Sequence, residues 1–149
     1  MEFVRLCVLP WLWACLACFG FSIVFNAHGA GVWIACLVGG AGWLVYSLLG
    51  CTIPAAFLAA VVIGVSSEIA ARVRRCPVTC YLIIALLPLV PGGGIYRAMS
   101  LALAGDTQRF MTTFFETFGI AAALAVGAMI SSSAFRTVYT YARQMLRRR

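Results

Sequence analysis

Five apolar stretches, separated by short polar or glycine-rich breaks, account for most of the chain. They cover residues 3–25, 32–49, 55–71, 77–103 and 110–134, and a basic segment follows at 135–149. Each stretch is close to the ~20 residues with which an α-helix crosses ~30 Å of hydrocarbon. The pattern therefore predicts an all-α integral membrane protein, a single domain over residues 1–149 with about five transmembrane helices.

The fourth stretch is interrupted in its middle by prolines and glycines. Residues 87–97 read Leu-Pro-Leu-Val-Pro-Gly-Gly-Gly-Ile-Tyr-Arg. Pro88 and Pro91 each remove a backbone N–H group and clash with the preceding turn, and a run of glycines is costly inside a helix. Loose backbone in a bilayer has to be buried in protein or line a cavity, and breaks near the midplane are where secondary transporters bind substrates. We therefore predict a substrate site here, in either a broken helix or a re-entrant hairpin.

The residues after the second proline predict the chemistry of that site. A half-helix starting near Gly94 would present free N–H groups and the positive end of its dipole to an anion. Arg97 would stand in its first turn, while Gly92 and Gly93, like Gly94, let a ligand approach the backbone. Together they favour a carboxylate. The alternative is a proline-kinked helix whose arginine is paired internally or snorkels, and Tyr96 would either hydrogen-bond to substrate or simply pack.

Composition supports the membrane class and argues against a soluble nucleic-acid-binding protein. Hydrophobic residues make up 64% of the chain and charged residues only 10%, too few for the surface of a soluble domain of this size. The net charge of +7 comes entirely from arginines, which sit at the ends of the apolar stretches. No basic stripe interleaved with exposed aromatic residues is present, so the arginines are interpreted as topology determinants rather than as a nucleic-acid surface.

The distribution of arginines predicts the orientation. With five spans, eight arginines fall on one side of the membrane: Arg72, Arg74, Arg75, Arg136, Arg143, Arg147, Arg148 and Arg149. The positive-inside rule then places the C-terminus in the cytoplasm and the N-terminus outside, and we expect a bacterial cytoplasmic membrane. A re-entrant fourth stretch would instead move the C-terminus, with most of these arginines, to the outside.

Two acidic residues within the predicted spans are candidates for proton coupling. Glu68 lies four residues before Arg72, so an ion pair within one helix at the cytoplasmic edge is its simplest interpretation. Glu116 has no basic residue at i±4, and an unpaired carboxylate in lipid is costly and commonly functional. Alternatively, Glu116 pairs with Arg97 or accepts hydrogen bonds from the threonines at 112–113.

Small residues recur at helical spacing, which predicts close helix packing in a bundle or an oligomer. The sets are Gly119, Ala123, Gly127 and Ser131 in the fifth stretch, Ala56, Ala60 and Gly64 in the third, and Ala35 and Gly39 in the second. Asn26 closes the first stretch, where capping of a helix end is its expected role.

Enzymatic or metal chemistry is not indicated. The sequence has no Ser/His/Asp grouping and no paired carboxylates, and its single histidine, His28, makes a His/Cys metal site improbable. Cys15 and Cys18 form a CxxC pair within an apolar stretch, where nothing nearby would stabilise a thiolate. A thiol redox enzyme is therefore only a third hypothesis, and we expect no cofactor.

Four segments resemble the threonine/serine exporter (ThrE) superfamily, in particular its small five-span, YjjB-like module. They are Gly20-Phe21-Ser22-Ile23-Val24-Phe25-Asn26, then Arg75-Cys76-Pro77, then Leu87-Pro88-Leu89-Val90-Pro91-Gly92 with Tyr96, and finally Gly105-Asp106. The resemblance runs from the first span to the last. It implies that Pro88, Pro91, Gly92 and Tyr96 are motif positions, with Asn26 as a further one, whereas an anion-binding role for Arg97 rests on the physical argument alone.

The resemblance also implies a function and a partner. In this family the small module is fused to, or paired with, a larger ThrE-type membrane subunit; fused proteins export threonine and serine, and split pairs resemble an exporter of C4-dicarboxylates such as succinate. Two five-span units would lie in opposite orientations, as in inverted-repeat transporters. We expect the protein to be the small subunit of a two-component exporter of small carboxylate metabolites. A higher oligomer of this two-component complex is a further expectation. The alternative is a non-transporting scaffold subunit.

Overall fold

The computed structural model describes residues 8–27 and 29–147, and helices connected by short turns account for nearly all of them. The helices are α1 (Leu9–Val24), α2 (Ala30–Leu48), α3 (Ile53–Arg74), α4 (Val78–Leu86), α5 (Gly92–Leu103) and α6 (Thr107–Arg147), with a 3-10 turn at Leu87–Leu89 between α4 and α5. The part of the chain that the structure describes contains no β-strand.

The helices have the length and composition of a membrane protein. Three of them are long and apolar enough to cross a bilayer: α2, α3 and the segment Thr107–Thr137 of α6. The segments on either side of the fourth-stretch break pass the same test together, as one bent pair, and α1 is a shorter apolar helix of 16 residues. The all-α membrane class is thereby confirmed, while a crossing by α1, and so a total of five, stays a prediction.

Three of the turns end the preceding helix with the same hydrogen-bond pattern. After α1, Asn26 adopts a left-handed conformation (φ 54°), its N–H group donates to the Ile23 carbonyl (3.0 Å), and the Ala27 N–H group donates to the Ser22 carbonyl (2.9 Å). The same pattern follows α2 at Gly50 and α5 at Gly105. This Schellman arrangement satisfies the last carbonyl groups of a helix, and it gives Asn26 the capping role that the sequence predicts.

α3 and α6 run parallel and pack against each other in a constant register. We call this helix–helix contact the α3–α6 seam. Gly119 faces Ile53, Gly127 faces Ala60 and the Phe57 carbonyl, Gly64 faces Ser131, and at the far end Arg72 lies over Tyr139. The predicted small-residue stripes therefore form this contact. On the second helix, Gly39 packs against Cys18 of α1 and Ala85 of α4, which joins α1, α2 and α4 to the same bundle.

α5 and the first half of α6 form a separate arm, residues 92–121, which we call the α5–α6 arm. α5 packs against α6 and, in the described part of the chain, makes no comparable contact with α1–α4. Twelve residues of α6 precede Gly119, so the arm extends about 18 Å beyond the start of α3. The apolar segment of α6 is only 17% buried, against 44% for α3, because the arm has no second layer within this chain.

Over the residues described, the basic segment predicted after residue 134 does not form a tail separate from the last span. α6 continues without interruption to Arg147, so the last span and this segment form one helix. A helix of that length measures about 60 Å, twice the hydrocarbon thickness of a bilayer.

Candidate functional site

The proline–glycine break separates α4 from α5 by a bend of 45°. Val90 donates its N–H group to the Leu87 carbonyl (3.2 Å), and Gly92 donates to the Val90 carbonyl (2.7 Å), so the regular helical hydrogen bonds stop over this segment. A re-entrant hairpin needs a near-reversal of direction, whereas a 45° bend keeps both halves running the same general way. The geometry therefore favours a broken helix over the hairpin.

The first half of the break is buried in the bundle. Leu89 is 5% exposed and packs in the core with Ile63 and Ala85, and Pro88 lies in a groove with Trp13 and Trp43. This burial satisfies the requirement that irregular backbone in a membrane protein be enclosed by protein.

The second half of the break opens away from the bundle. Gly92 and Gly93 are exposed, and a methyl group added to either would meet no atom within 4 Å. Gly94 faces Thr117, which precedes by two residues the contact of Gly119 with the first residue of α3. The break therefore lies level with the start of α3 and within the apolar segment Thr107–Thr137 of α6, and its height in the membrane stays a prediction.

Gly94 has a different role from its two neighbours. A Cβ atom built on it would lie 2.5 Å from the Thr117 hydroxyl oxygen and 2.9 Å from the Thr117 methyl carbon, so the glycine allows α5 to approach α6. Thr117 in turn donates its hydroxyl to the Thr113 carbonyl (2.6 Å). This close contact was not predicted, since nothing local in the sequence indicates which helix faces the glycine.

α5 also begins earlier than the sequence predicts. Its first residue is Gly92 rather than one near Gly94, because the Pro91 carbonyl already accepts the first helical hydrogen bond, from the Ile95 N–H group (3.2 Å). Arg97 therefore stands in the second turn of α5, not in the first. The N–H groups of Gly92 and Gly93 remain those nearest the start of the helix and its positive dipole end.

Arg97 and Tyr96 both point away from the packed parts of this chain. Tyr96 is 74% exposed, so most of its side chain contacts nothing within the residues described, and its hydrogen bond to substrate stays a prediction. Arg97 is exposed as well, and the two ion pairs found in the described residues are Glu68–Arg72 and Asp106–Arg109. The alternative in which Arg97 pairs with Glu116 is therefore also wrong over this part of the chain.

One side of the α5–α6 arm is polar, and we call it the polar flank. A cleft of about 650 Å³ opens there between the two helices, lined by Leu101, Asp106, Gln108, Arg109, Thr112 and Thr113. Arg97 lies one helical turn from Leu101, and Glu116 lies one turn from Thr112, on the side of the cleft that faces the break. Opposite charges thus share one flank without forming an ion pair.

The Glu116 carboxylate has no ion-pair partner among the described residues. The residue is exposed, and the hydroxyl of Thr112 donates to the Gln108 carbonyl (3.1 Å) rather than to Glu116. The opposite side of the arm is apolar, with Phe110, Phe114 and Phe118 stacked along α6 at ring separations of 5.7 and 6.3 Å. The arm is amphipathic, and the four-residue spacing of these phenylalanines is the sequence signal that predicts it.

Glu68 occupies a second, buried polar site at the other end of the molecule. Its side chain is 5% exposed and forms an ion pair with Arg72 (3.4 Å), which confirms the predicted i,i+4 pair. The Arg72 guanidinium also lies over the rings of Tyr139 (3.8 Å) and Phe135 (5.0 Å) of α6. Glu68 is therefore a partner in a contact between α3 and α6, and its coupling to protons stays a prediction.

The cysteine pair is packed rather than presented to solvent. The Cys15 thiol donates to the Cys36 carbonyl (3.4 Å) and the Cys18 thiol to the Ile84 carbonyl (3.6 Å), and both cysteines are free. No group of three metal-ligating side chains occurs among the described residues, and His28 lies outside them.

The chain matches the model of a known protein family. The family described as "Threonine/Serine exporter, ThrE" matches residues 11–134, which include the break, the polar flank and most of the α3–α6 seam. No curated protein and no solved structure matches the chain.

Proposed function

Because this chain belongs to the threonine/serine exporter family, we propose that it is the small membrane subunit of a two-component exporter of small carboxylate metabolites. The observation that carries the proposal is the polar flank, where Arg97 and Glu116 each lie one helical turn from a residue that lines the cleft, together with the open backbone of Gly92 and Gly93 at the start of α5. No role in catalysis is proposed for any of these residues.

The first part of the proposed site holds the carboxylate. The N–H groups at the start of α5 and the guanidinium of Arg97 are both suited to an anion, and an exposed glycine pair lets the ligand reach the backbone. Pro88 and Pro91 produce the break that frees these groups, and Gly94 sets the distance to α6. The hydroxyl of Tyr96, exposed one residue before Arg97, orients the substrate.

The second part of the site selects the substrate class. A zwitterionic hydroxy amino acid, such as threonine or serine, carries an ammonium group that the Glu116 carboxylate suits, whereas a C4-dicarboxylate such as succinate would be repelled by that carboxylate. The geometry therefore favours the amino acids. If succinate is the substrate, Glu116 instead carries the coupling proton and becomes neutral when the dicarboxylate binds.

The proposed partner is the larger ThrE-type membrane subunit. The arm exposes the large apolar side chains Phe115, Phe118, Met99 and Leu103 as well as the charges of its polar flank, and a surface that presents both is typical of an interface rather than of a lipid-facing helix. Alternating access would be a rocking movement of this chain against its partner. The two-subunit complex would be the repeating unit of any higher oligomer. With five spans, the N-terminus lies outside and the arginine-rich end in the cytoplasm of the bacterial inner membrane.

Efflux from cells co-expressing this chain with its larger partner tests the site. Cells preloaded with radiolabelled threonine, serine or succinate are compared for wild type, Arg97→Ala, Glu116→Gln and the control Arg75→Ala, an exposed arginine at the end of α3 that is not among the residues lining the cleft. We expect Arg97→Ala to slow efflux about ten-fold or more, since a charge-assisted contact contributes about 1.5–3 kcal/mol. Glu116→Gln should slow threonine and serine efflux similarly. If Glu116→Gln leaves amino-acid efflux intact, the zwitterion assignment is wrong.

Two alanine substitutions separate the substrate site from the scaffold alternative. Alanine at Gly92 and Gly93 meets no atom of this chain and improves helix propensity, so Gly92→Ala/Gly93→Ala should assemble with its partner as wild type does. The added methyl groups would nevertheless keep a carboxylate from the backbone. We expect efflux to fall at least five-fold with unchanged co-purification of the partner, and full efflux would support the scaffold instead.

A further inference from the structure

The net charge of the chain is concentrated at one end of the molecule. The contact of Arg72 with Phe135 and Tyr139 places the end of α3 beside this part of α6. Continuing the parallel register brings α6 from residue 136 onwards to the same end, which we call the arginine end. It comprises Arg72, Arg74, Arg75, Arg136, Arg143 and Arg147, with Arg148 and Arg149 following in sequence beyond the described residues.

The sequence holds few acidic residues to set against these arginines. Among the described acidic residues, Glu68 lies at this end and is paired with Arg72, whereas Asp106 and Glu116 belong to the region of the α5–α6 arm. In formal charge, the eight arginines and this glutamate leave seven positive charges, which equals the net charge of the protein. The remaining three arginines and three acidic residues cancel one another in this count.

The position of this charge matches the headgroup layer of a bilayer. Arg74 and Arg75 are exposed and end α3, and Val73, an apolar side chain beside them, is 76% exposed. Because Arg72 of α3 lies over Phe135 and Tyr139 of α6, the end of α3 and this part of α6 lie at the same height along the bundle. The headgroup region adds roughly 5–8 Å on each side, within reach of arginines in the last turn of α3.

We propose that the arginine end binds the phosphate groups of anionic phospholipids in the leaflet that it faces. A guanidinium forms paired hydrogen bonds to phosphate oxygens, and basic residues beside a span are attracted to anionic headgroups. The exposed side chain of Val73, beside these arginines, enters the membrane interface. The proposal is independent of the exported substrate, because it uses none of the residues of the polar flank.

Lipid titration of the purified full-length chain tests the proposal. The protein in neutral detergent is titrated with phosphatidylglycerol or phosphatidylcholine, and bound lipids are counted by native mass spectrometry. We expect clear preference for phosphatidylglycerol, about ten-fold or more weaker binding in Arg74→Gln/Arg75→Gln, and further loss in 0.5 M salt, since each arginine near a headgroup contributes roughly a five-fold factor.

Arg109→Gln is the matched control, since it removes an exposed arginine at the opposite end of the molecule. It should retain the wild-type preference for phosphatidylglycerol. Equal binding of the two lipids by the wild type would overturn the proposal, and so would an equal loss in the control and the double variant. Circular dichroism and gel filtration of each variant confirm that helix content and dispersity are unchanged.

Discussion

One methyl group at Gly127 is expected to lower the stability of the folded protein strongly. An alanine Cβ there would lie 2.7 Å from the backbone carbonyl oxygen of Phe57 and 2.8 Å from the Ala60 Cβ, both in the tightly packed α3–α6 seam. A backbone atom cannot move aside as a flexible side chain can. Overpacking commonly costs about 1–3 kcal/mol, and we expect Gly127→Ala at the upper end and Gly127→Val beyond it.

The measurement is the melting temperature and monodisperse yield of the detergent-solubilised chain, with Gly20→Ala as the matched control. Gly20 is also a glycine of an apolar helix, but an added Cβ there meets no atom within 4 Å. The control should behave as wild type. Combining Gly127→Ala with Ala60→Gly removes one of the two contacts and should recover part of the loss. Wild-type stability of Gly127→Ala would show that α3 and α6 do not pack as described.

Arg72→Ala is expected to cause a loss of stability of similar size. It strands the buried Glu68 carboxylate without its partner and removes the stacking of the guanidinium on Tyr139 and Phe135. Removing one member of a buried ion pair costs about 3–5 kcal/mol, and because Arg72 is 30% exposed we expect about 2–4 kcal/mol.

Thermal unfolding of three variants distinguishes the ion pair from a general effect of charge. Arg74→Ala, at an exposed position in the same turn, should change stability little. Glu68→Gln/Arg72→Ala should be more stable than Arg72→Ala alone, because no buried charge is then stranded. A double variant no more stable than Arg72→Ala would mean that the loss comes from packing on the aromatic rings rather than from the carboxylate.

Local features of the fold were predictable from the sequence because each depends on neighbours along the chain. The Glu68–Arg72 pair follows from i,i+4 spacing, the left-handed cap at Asn26 from its position after an apolar stretch, and the seam from small residues at helical spacing. Pro88 and Pro91 likewise predicted a break, since their effect on the backbone is intrinsic.

The remaining features depend on which helices meet in space. The sequence does not indicate that Gly94 faces Thr117, that Arg72 lies over Tyr139, or that α5 has α6 as its packing partner. The height of the break relative to α3 likewise depends on the register between helices rather than on its place within an apolar stretch. The residue types of the candidate site were predictable from the sequence. The division of the break into a buried first half and an open second half was not.

The unbroken course of α6 makes the helix a mechanical lever between the two ends of the protein. The α3–α6 seam acts as its pivot, with the polar flank on one side and the arginine end on the other. For a rod of about 60 Å, a tilt of about 10° around its centre displaces each end by about 5 Å in opposite directions. A tilt of the arm that keeps α6 straight therefore reaches the arginine end as a displacement of similar size, without a chain of intervening side-chain rearrangements.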